Sequence, residues 1–167
     1  TREFWHHFNR HTLEAFQIEG DLDRLAENVT SRFDGLTLDY YCPEAGCQTL
    51  EELAARGYRL GLLTNRENVE RLHILVEQLQ LRDYFDLILA SGEVKIQKPD
   101  PGIFAIALER IGAEAGASLD VGDNYWADVV GARLAGLTPI LFDPYQLFPE
   151  ADCQILERID DLLDWLP

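Results

Sequence analysis

Cations are scarce in this sequence. Fourteen Lys and Arg stand against 30 Asp and Glu, a formal net charge of −16 over 167 residues. Nucleic acid and acidic lipid both call for a cationic face, so neither is an expected partner. Long apolar runs are missing too. None approaches the ~20 residues a membrane-spanning helix needs, and the opening Thr1-Arg2-Glu3-Phe4 is no secretory signal. There is no Gly-rich phosphate loop and no Gly-x-Gly-x-x-Gly turn, which sets aside the nucleotide-binding folds built on them. Methionine is absent even from the first position, which suggests processing or a sequence that begins inside a longer gene product. Cysteine is limited to Cys42, Cys47 and Cys153. An odd number without a framework suggests reduced thiols in a cytoplasmic protein. Cys42 and Cys47 alone are two donors short of a structural zinc site, and their plainer reading is two packing thiols.

What remains is an ordinary globular composition, 47% hydrophobic, long enough for one domain with a small appendage. The pattern changes near Pro43. Before it, Phe4, Trp5, Phe8, Ala15 and Phe16 fall at helical spacing, as do Leu22, Leu25, Val29 and Phe33, with Gly20 between the two sets. This predicts a helical hairpin. After Pro43 come a helix over about Glu44 to Arg56 stopped by Gly57, the strand YRLGLLT and the helix NVERLHILVEQLQ. They are followed by the strand FDLILAS, the helix PGIFAIALERIG, the strand SLDVGD, the helix YWADVVGARLAG and the strand TPILFD. Asp100 is the expected N-cap of the PGIFAIALERIG helix, Pro101 its first residue and Gly112 its stop. Apolar strands alternating with helices predict an α/β fold whose parallel sheet is covered by helices on both faces.

Ligands of open parallel sheets bind outside the carboxyl ends of the strands. The residues that end these strands are Thr64, followed by Asn65 and Arg66; Ser91, followed by a loop carrying Lys95 and Lys98; and Asp123. A hydroxyl, a lysine and a carboxylate on one rim point to phosphate and Mg²⁺. Carboxylate oxygen is a hard ligand suited to Mg²⁺, lysine is a compact phosphate counter-charge, and free N–H groups at a helix start accept phosphoryl oxygen. Asp123 is the expected metal ligand, with Asp128 steadying the metal or its waters from behind. Singly, each residue has a plainer reading: Thr64 a strand-end cap, Lys98 a solvated loop cation, Asp128 a first-turn acid. Their joint order and spacing favour the functional one.

The stretches GYRLGLLTNR, SGEVKIQKPDPGIF and VGDNYWADVVGARLAG, in that order, resemble the second, third and fourth motifs of the haloacid dehalogenase superfamily of hydrolases. Lys98, which precedes Pro-Asp-Pro, takes the lysine position rather than Lys95. The resemblance runs from about Tyr40 to Phe142 and implies a Rossmann-like core over 43–167 with a partial helical cap over 1–42, similar to phosphoglycolate-phosphatase-like members. It implies a phosphatase of a small phosphorylated metabolite that works through an aspartyl-phosphate. In such enzymes one aspartate attacks the phosphoryl group, a second protonates the leaving oxygen and Mg²⁺ screens the anions. Thr64, Asn65 and Lys98 would then hold phosphate, with Thr64 and Lys98 in catalytic roles.

The family's first motif, an apolar strand ending in Asp-x-Asp, is absent. RFDGLTLDYY, with Asp34 and Asp39, is the nearest string, but no apolar strand precedes it, so neither acid takes the nucleophile's role. The central N-terminal strand is therefore expected to be missing. Its place, between the strands ending at Thr64 and Asp123, should then be a gap of about two strand spacings, ~10 Å, in preference to a gap filled by another chain or direct pairing of the two strands at Leu62 and Val121. A chain so built is expected to be inactive by itself. Two rival readings remain, a metal-independent haloacid dehalogenase and a non-catalytic relative that binds a ligand or partner. Among the other candidates, His7 and His11 lie one helical turn apart, a chelating spacing that more plainly marks a helix surface. His73 reads as a packing residue, and Asp143, at the end of what reads as the last strand, as a turn former.

Overall fold

A computed structural model describes residues 2–34 and 40–166. The chain forms two compact units, Thr1–Asp39 and Tyr40–Pro167, divided in the connection that precedes Pro43. The stretch from Gly35 to Asp39, with the Asp39 of the rejected nucleophile string, lies outside the described residues.

The first unit is the expected hairpin of α1 (Arg2–Ala15) and α2 (Leu22–Asp34). Gly20 makes the turn at φ 125°, a conformation that side chains with a Cβ disfavour. The Asp21 carboxylate accepts the Arg24 N–H at 3.1 Å and caps α2. The helices are sealed by small residues, Ala26 and Thr30, both at most 1% exposed. The Asn9 amide donates to the Thr30 hydroxyl at 3.1 Å. Trp5 and Phe8 of α1 and Phe16 just after it are all more than half exposed.

The second unit is α/β, with the strands and helices in the predicted alternation. It runs α3 (Glu44–Ala55), β1 (Gly61–Thr64), α4 (Val69–Gln78), β2 (Leu87–Ala90), α5 (Ser91–Val94), α6 (Pro101–Ile111) and β3 (Leu119–Gly122), then α7 (Gly131–Leu134) and β4 (Thr138–Phe142). Two elements carry no sequence expectation, the three-residue strand β5 (Gln154–Leu156) and the short helix α8 (Leu162–Trp165), so β4 is not the last strand. The predicted stops hold. Asp100 accepts the Gly102 N–H at 2.8 Å with Pro101 beside it, and Gly112 ends α6 at φ 69°. Asn68 caps α4 through the Arg71 N–H.

All pairings are parallel, but the strands form two sheets. β1 pairs with β2, in register Leu62 to Ile88, and β3 with β4 and β5, in register Val121 to Ile140. Among the described residues β1 and β3 share no ladder, so direct pairing of Leu62 with Val121 does not occur. Helices hold the two sheets together. Leu89 of β2, Ile103 and Phe104 of α6 and Ala132 of α7 form one buried cluster. A Cβ on Gly131 would stand 2.7 Å from the Phe104 ring, so only glycine lets α7 approach α6 this closely. On the opposite side Leu53 of α3 packs with Ile140, Leu156 and Leu162. Both faces of the sheet layer are thus covered, as apolar strands require.

The expectation of three reduced thiols fails. Cys42 and Cys47 are joined as a disulfide across the start of α3, their Cα atoms 6.3 Å apart, and Cys153 is the free cysteine. Cys42 lies just before α3 and Cys47 in its first turn, close enough for a local pair that an odd count does not exclude. No helix among the described residues is long and apolar enough to cross a membrane.

Candidate active site

Lys98 ties the end of β1 to the segment that follows β3. Its ammonium lies 3.1 Å from the Leu63 carbonyl, one residue before the end of β1, and 2.5 Å from Asp128, which follows β3. One side chain therefore spans the two sheets at their carboxyl rim. Lys98 and Asp128 side chains are 11% and 6% exposed, so the pair is almost dry and its attraction little screened. Lys95, the alternative lysine, ends α5 in a left-handed conformation and is exposed.

Asp128 reaches Lys98 because of how the chain leaves β3. The segment Tyr125–Val130 is wound as a π-helix, where the sequence predicts ordinary α-helix, and it continues into α7. Such wide turns re-aim side chains and recur at functional sites. Asn124 caps the segment by accepting the Ala127 N–H at 2.8 Å, and Asp128 accepts the Asn124 N–H at 2.9 Å. Gly122 makes room, since a Cβ there would stand 2.2 Å from the Asp128 carboxyl carbon. The Gly-Asp pair at the end of β3 is thus steric in its first member.

Asp123 is exposed, and its carboxylate makes no hydrogen bond or ion pair among the described residues. It borders a cleft of about 450 Å³ that Val121, Phe142, Tyr145 and Phe148 help to line. The Thr64 hydroxyl, half-buried at the end of β1, likewise has no partner among the described residues. Asn65 differs. Its Oδ1 accepts the Lys98 N–H at 2.8 Å, and its Nδ2 donates to the Lys98 carbonyl at 2.9 Å. Arg66 donates to the Tyr40 hydroxyl at 3.2 Å and keeps its guanidinium near that ring.

Sequence reasoning missed Asp120. It shares a face of β3 with Gly122 by strand alternation, and its Oδ2 is buried without a hydrogen-bond partner among the described residues. Burial pushes its carboxyl up to about 6, with Asp128 adding to the rise and Lys98 opposing it. An acid inside the otherwise apolar SLDVG was the available signal.

The remaining candidates sit elsewhere. His73 is exposed, so the packing expectation fails; Leu72 and Val76 beside it take the buried face of α4. His7 is exposed with its Nδ1 2.9 Å from the Glu3 carbonyl, and His11 lies 3.5 Å from Glu14. No group of three His, Cys, Asp or Glu able to hold a metal exists among the described residues. Asp143 is buried and organises the turn after β4, accepting the N–H groups of Leu147 and Phe148 at 2.9 and 2.7 Å.

Comparison with known proteins adds to this geometry. Residues 1–136 match the family model of haloacid dehalogenase-like hydrolases. The chain is 33% identical over 147 residues to haloacid dehalogenase-like hydrolase domain-containing protein 3 of Mus musculus, covering 84% of this chain and 56% of that protein. It is 40% identical over 97 residues to ribulose-1,5-bisphosphate 5-phosphatase of Halopiger xanaduensis, covering 58% of this chain and 40% of that one. Among solved structures, a HAD phosphatase from Thermococcus onnurineus is similar at TM-score 0.67 and 28% identity, over 92% of this chain and 67% of that one. A 2-haloacid dehalogenase from Pseudomonas syringae pv. Tomato DC3000 is similar at TM-score 0.65 and 28% identity, over 98% and 70%. The chain spans about half the length of the curated relatives it matches.

Proposed function

Because this chain belongs to the haloacid dehalogenase-like hydrolase family, we propose that it supplies the phosphate- and metal-binding side of a magnesium-dependent phosphatase acting on a small phosphorylated metabolite. One observation carries the reading: the Lys98 ammonium fixed between the Leu63 carbonyl and Asp128. An ammonium has three N–H donors. Two face these protein oxygens, and the third is left for a phosphoryl oxygen. Thr64 adds a hydroxyl, and Asn65 adds its backbone N–H, since its side-chain amide is engaged by Lys98.

The donors present fit a magnesium ion on one side only. Asp123 is a free, exposed, hard-oxygen ligand, whereas Asp128 is neutralised by Lys98 and steadies the site through that pair. When bound, the ion would screen the phosphoryl charge. If Asp123 is its ligand, excess Mg²⁺ stabilises the fold by mass action, about 2.7 kcal/mol at a hundredfold excess over Kd, and raises the melting temperature. Asp123→Asn should abolish most of that gain. An equal gain in the variant removes Asp123 from the metal.

In this reading the nucleophile and the general acid come from an Asp-x-Asp strand lying between β1 and β3, and neither role passes to Asp34 or Asp39. The 167-residue chain alone is then expected not to hydrolyse an aryl phosphate above background. Supplying that strand should give Mg²⁺-dependent turnover, and Lys98→Ala should lower it by about 10²–10³-fold, as loss of a preorganised charge does. Robust turnover by the chain alone overturns the assignment. The lack of a ladder between β1 and β3 among the described residues favours one second reading, a non-catalytic relative that binds an anion or a partner. Failure of the strand-completed protein to turn over, with phosphate binding retained, would establish it. The Asp123 carboxylate favours the metal-dependent branch over a metal-independent dehalogenase. The cap unit 1–42 and core 43–167, and a cytoplasmic setting, belong to the same proposal.

A further inference from the structure

Asn65 stands directly after the last residue of β1, at the solvent-facing rim, where the amide of an exposed asparagine ordinarily bonds to water. Here both ends of the amide bind one residue, 33 positions away. Lys98 gives its N–H to Oδ1 and receives Nδ2–H on its carbonyl. The two bonds reproduce a rung of a strand ladder, with the side chain playing the neighbouring backbone. They fix both backbone groups of Lys98, while the Leu63 carbonyl and Asp128 fix its ammonium. Lys98 is thus held at both ends, and the direction of its third N–H follows from the rest.

We propose that Asn65 is the positioning residue of Lys98, acting on phosphate through the lysine's placement and not through its own amide. Leu63 and Asp128 fix only the ammonium, while Ile96 packs on the core and Asp100 caps α6. The clamp adds a hold on the backbone of Lys98 itself. Its effect on any anion at the rim therefore passes through Lys98 and disappears when Lys98 is gone. The phosphate arm of the test below rests on the proposed phosphatase reading; the ammonium arm does not.

The experiment uses the 167-residue chain with inorganic phosphate as the probe. First, the Lys98 ammonium protons are followed by ¹⁵N–¹H NMR, where only an ammonium shielded from exchange with water gives a resolved signal. The expected result is a Lys98 signal in the parent chain that is lost in Asn65→Ala and kept in Asn68→Ala. The second variant removes the α4 cap, an equally local hydrogen bond that does not touch Lys98. Should Asn65→Ala not fold, Asn65→Asp keeps the acceptor for the Lys98 N–H and is expected to keep a weakened signal. Second, phosphate affinity is measured in a double-mutant cycle. Asn65→Ala and Lys98→Ala each weaken binding by about tenfold, the worth of one charge-assisted bond. The double variant binds no more weakly than Lys98→Ala. An unchanged ammonium signal in Asn65→Ala, or multiplying effects in the double variant, overturns the proposal; multiplying effects would make the Asn65 amide a direct phosphate ligand. If the parent binds no phosphate, the phosphatase reading fails while the ammonium signal still decides the role of Asn65.

Discussion

Replacing Lys98 by alanine lowers the unfolding free energy by about 3–5 kcal/mol in urea denaturation, the usual cost of removing one member of a buried ion pair. Asp128 is 6% exposed and has two engagements, the Lys98 ammonium and the Asn124 N–H. Without the ammonium its charge stays buried with a single donor. Gly122 gives it no room to retreat, since its carboxyl already fills the space where a Cβ would be. The Leu63 carbonyl loses its donor in the same step. A second replacement, Asp128→Ala, relieves the stranded charge, so the double variant should lose less than the sum of the two single losses. A loss below about 1 kcal/mol for Lys98→Ala would show that water screens the pair as it does a surface ion pair.

Asp120→Asn gains stability relative to the parent as pH rises from 4 to above 6. The folded carboxyl, pushed up to about 6 by burial, sits above its ordinary value of 3.8. The folded state therefore binds a proton that the unfolded chain has already released in that window. Parent stability falls there, and the loss is complete once the folded group ionises. About two units at 1.36 kcal/mol each give ~3 kcal/mol. Asparagine does not titrate, so the difference between variant and parent should widen by about that amount between pH 4 and 6.5. Any constant offset from burying an amide appears equally at all pH. A difference that stays flat with pH would mean that Asp120 is solvated in the folded protein.

Both predictions concern residues whose importance was unequally visible. Asp100, Pro101 and Gly112 announce α6 because a cap, a first-turn proline and a left-handed stop act within three or four positions. The choice of Lys98 over Lys95 comes from the resemblance of the stretch before Pro-Asp-Pro to a family motif; the structure places Lys98 against Asp128 and leaves Lys95 exposed at the end of α5. Asp120 was hidden by its company, since in the sequence it is one polar letter in a strand and only packing makes it a trapped carboxyl. His73 erred in the opposite direction, because apolar neighbours in sequence do not say which way a helix turns its surface; Leu72 and Val76 took the buried side. The strand β5 offered three residues, too few for any periodicity.

The amino-acid sequence by itself determined the alternation of strands and helices, the parallel direction of the strands and the rim on which Thr64, Lys98 and Asp123 stand. All of these follow from hydrophobic period, caps and the order of strands and helices, which are local. Tertiary structure alone decided that Lys98 bridges two sheets, that Asn65 serves its backbone and that Asp128 arrives on a π-wound turn. It also decided that β1 and β3 share no ladder among the described residues. These are contacts between residues distant in sequence. Their energies depend on burial and on which groups the fold leaves without water, and neither exists until the helices close over the strands.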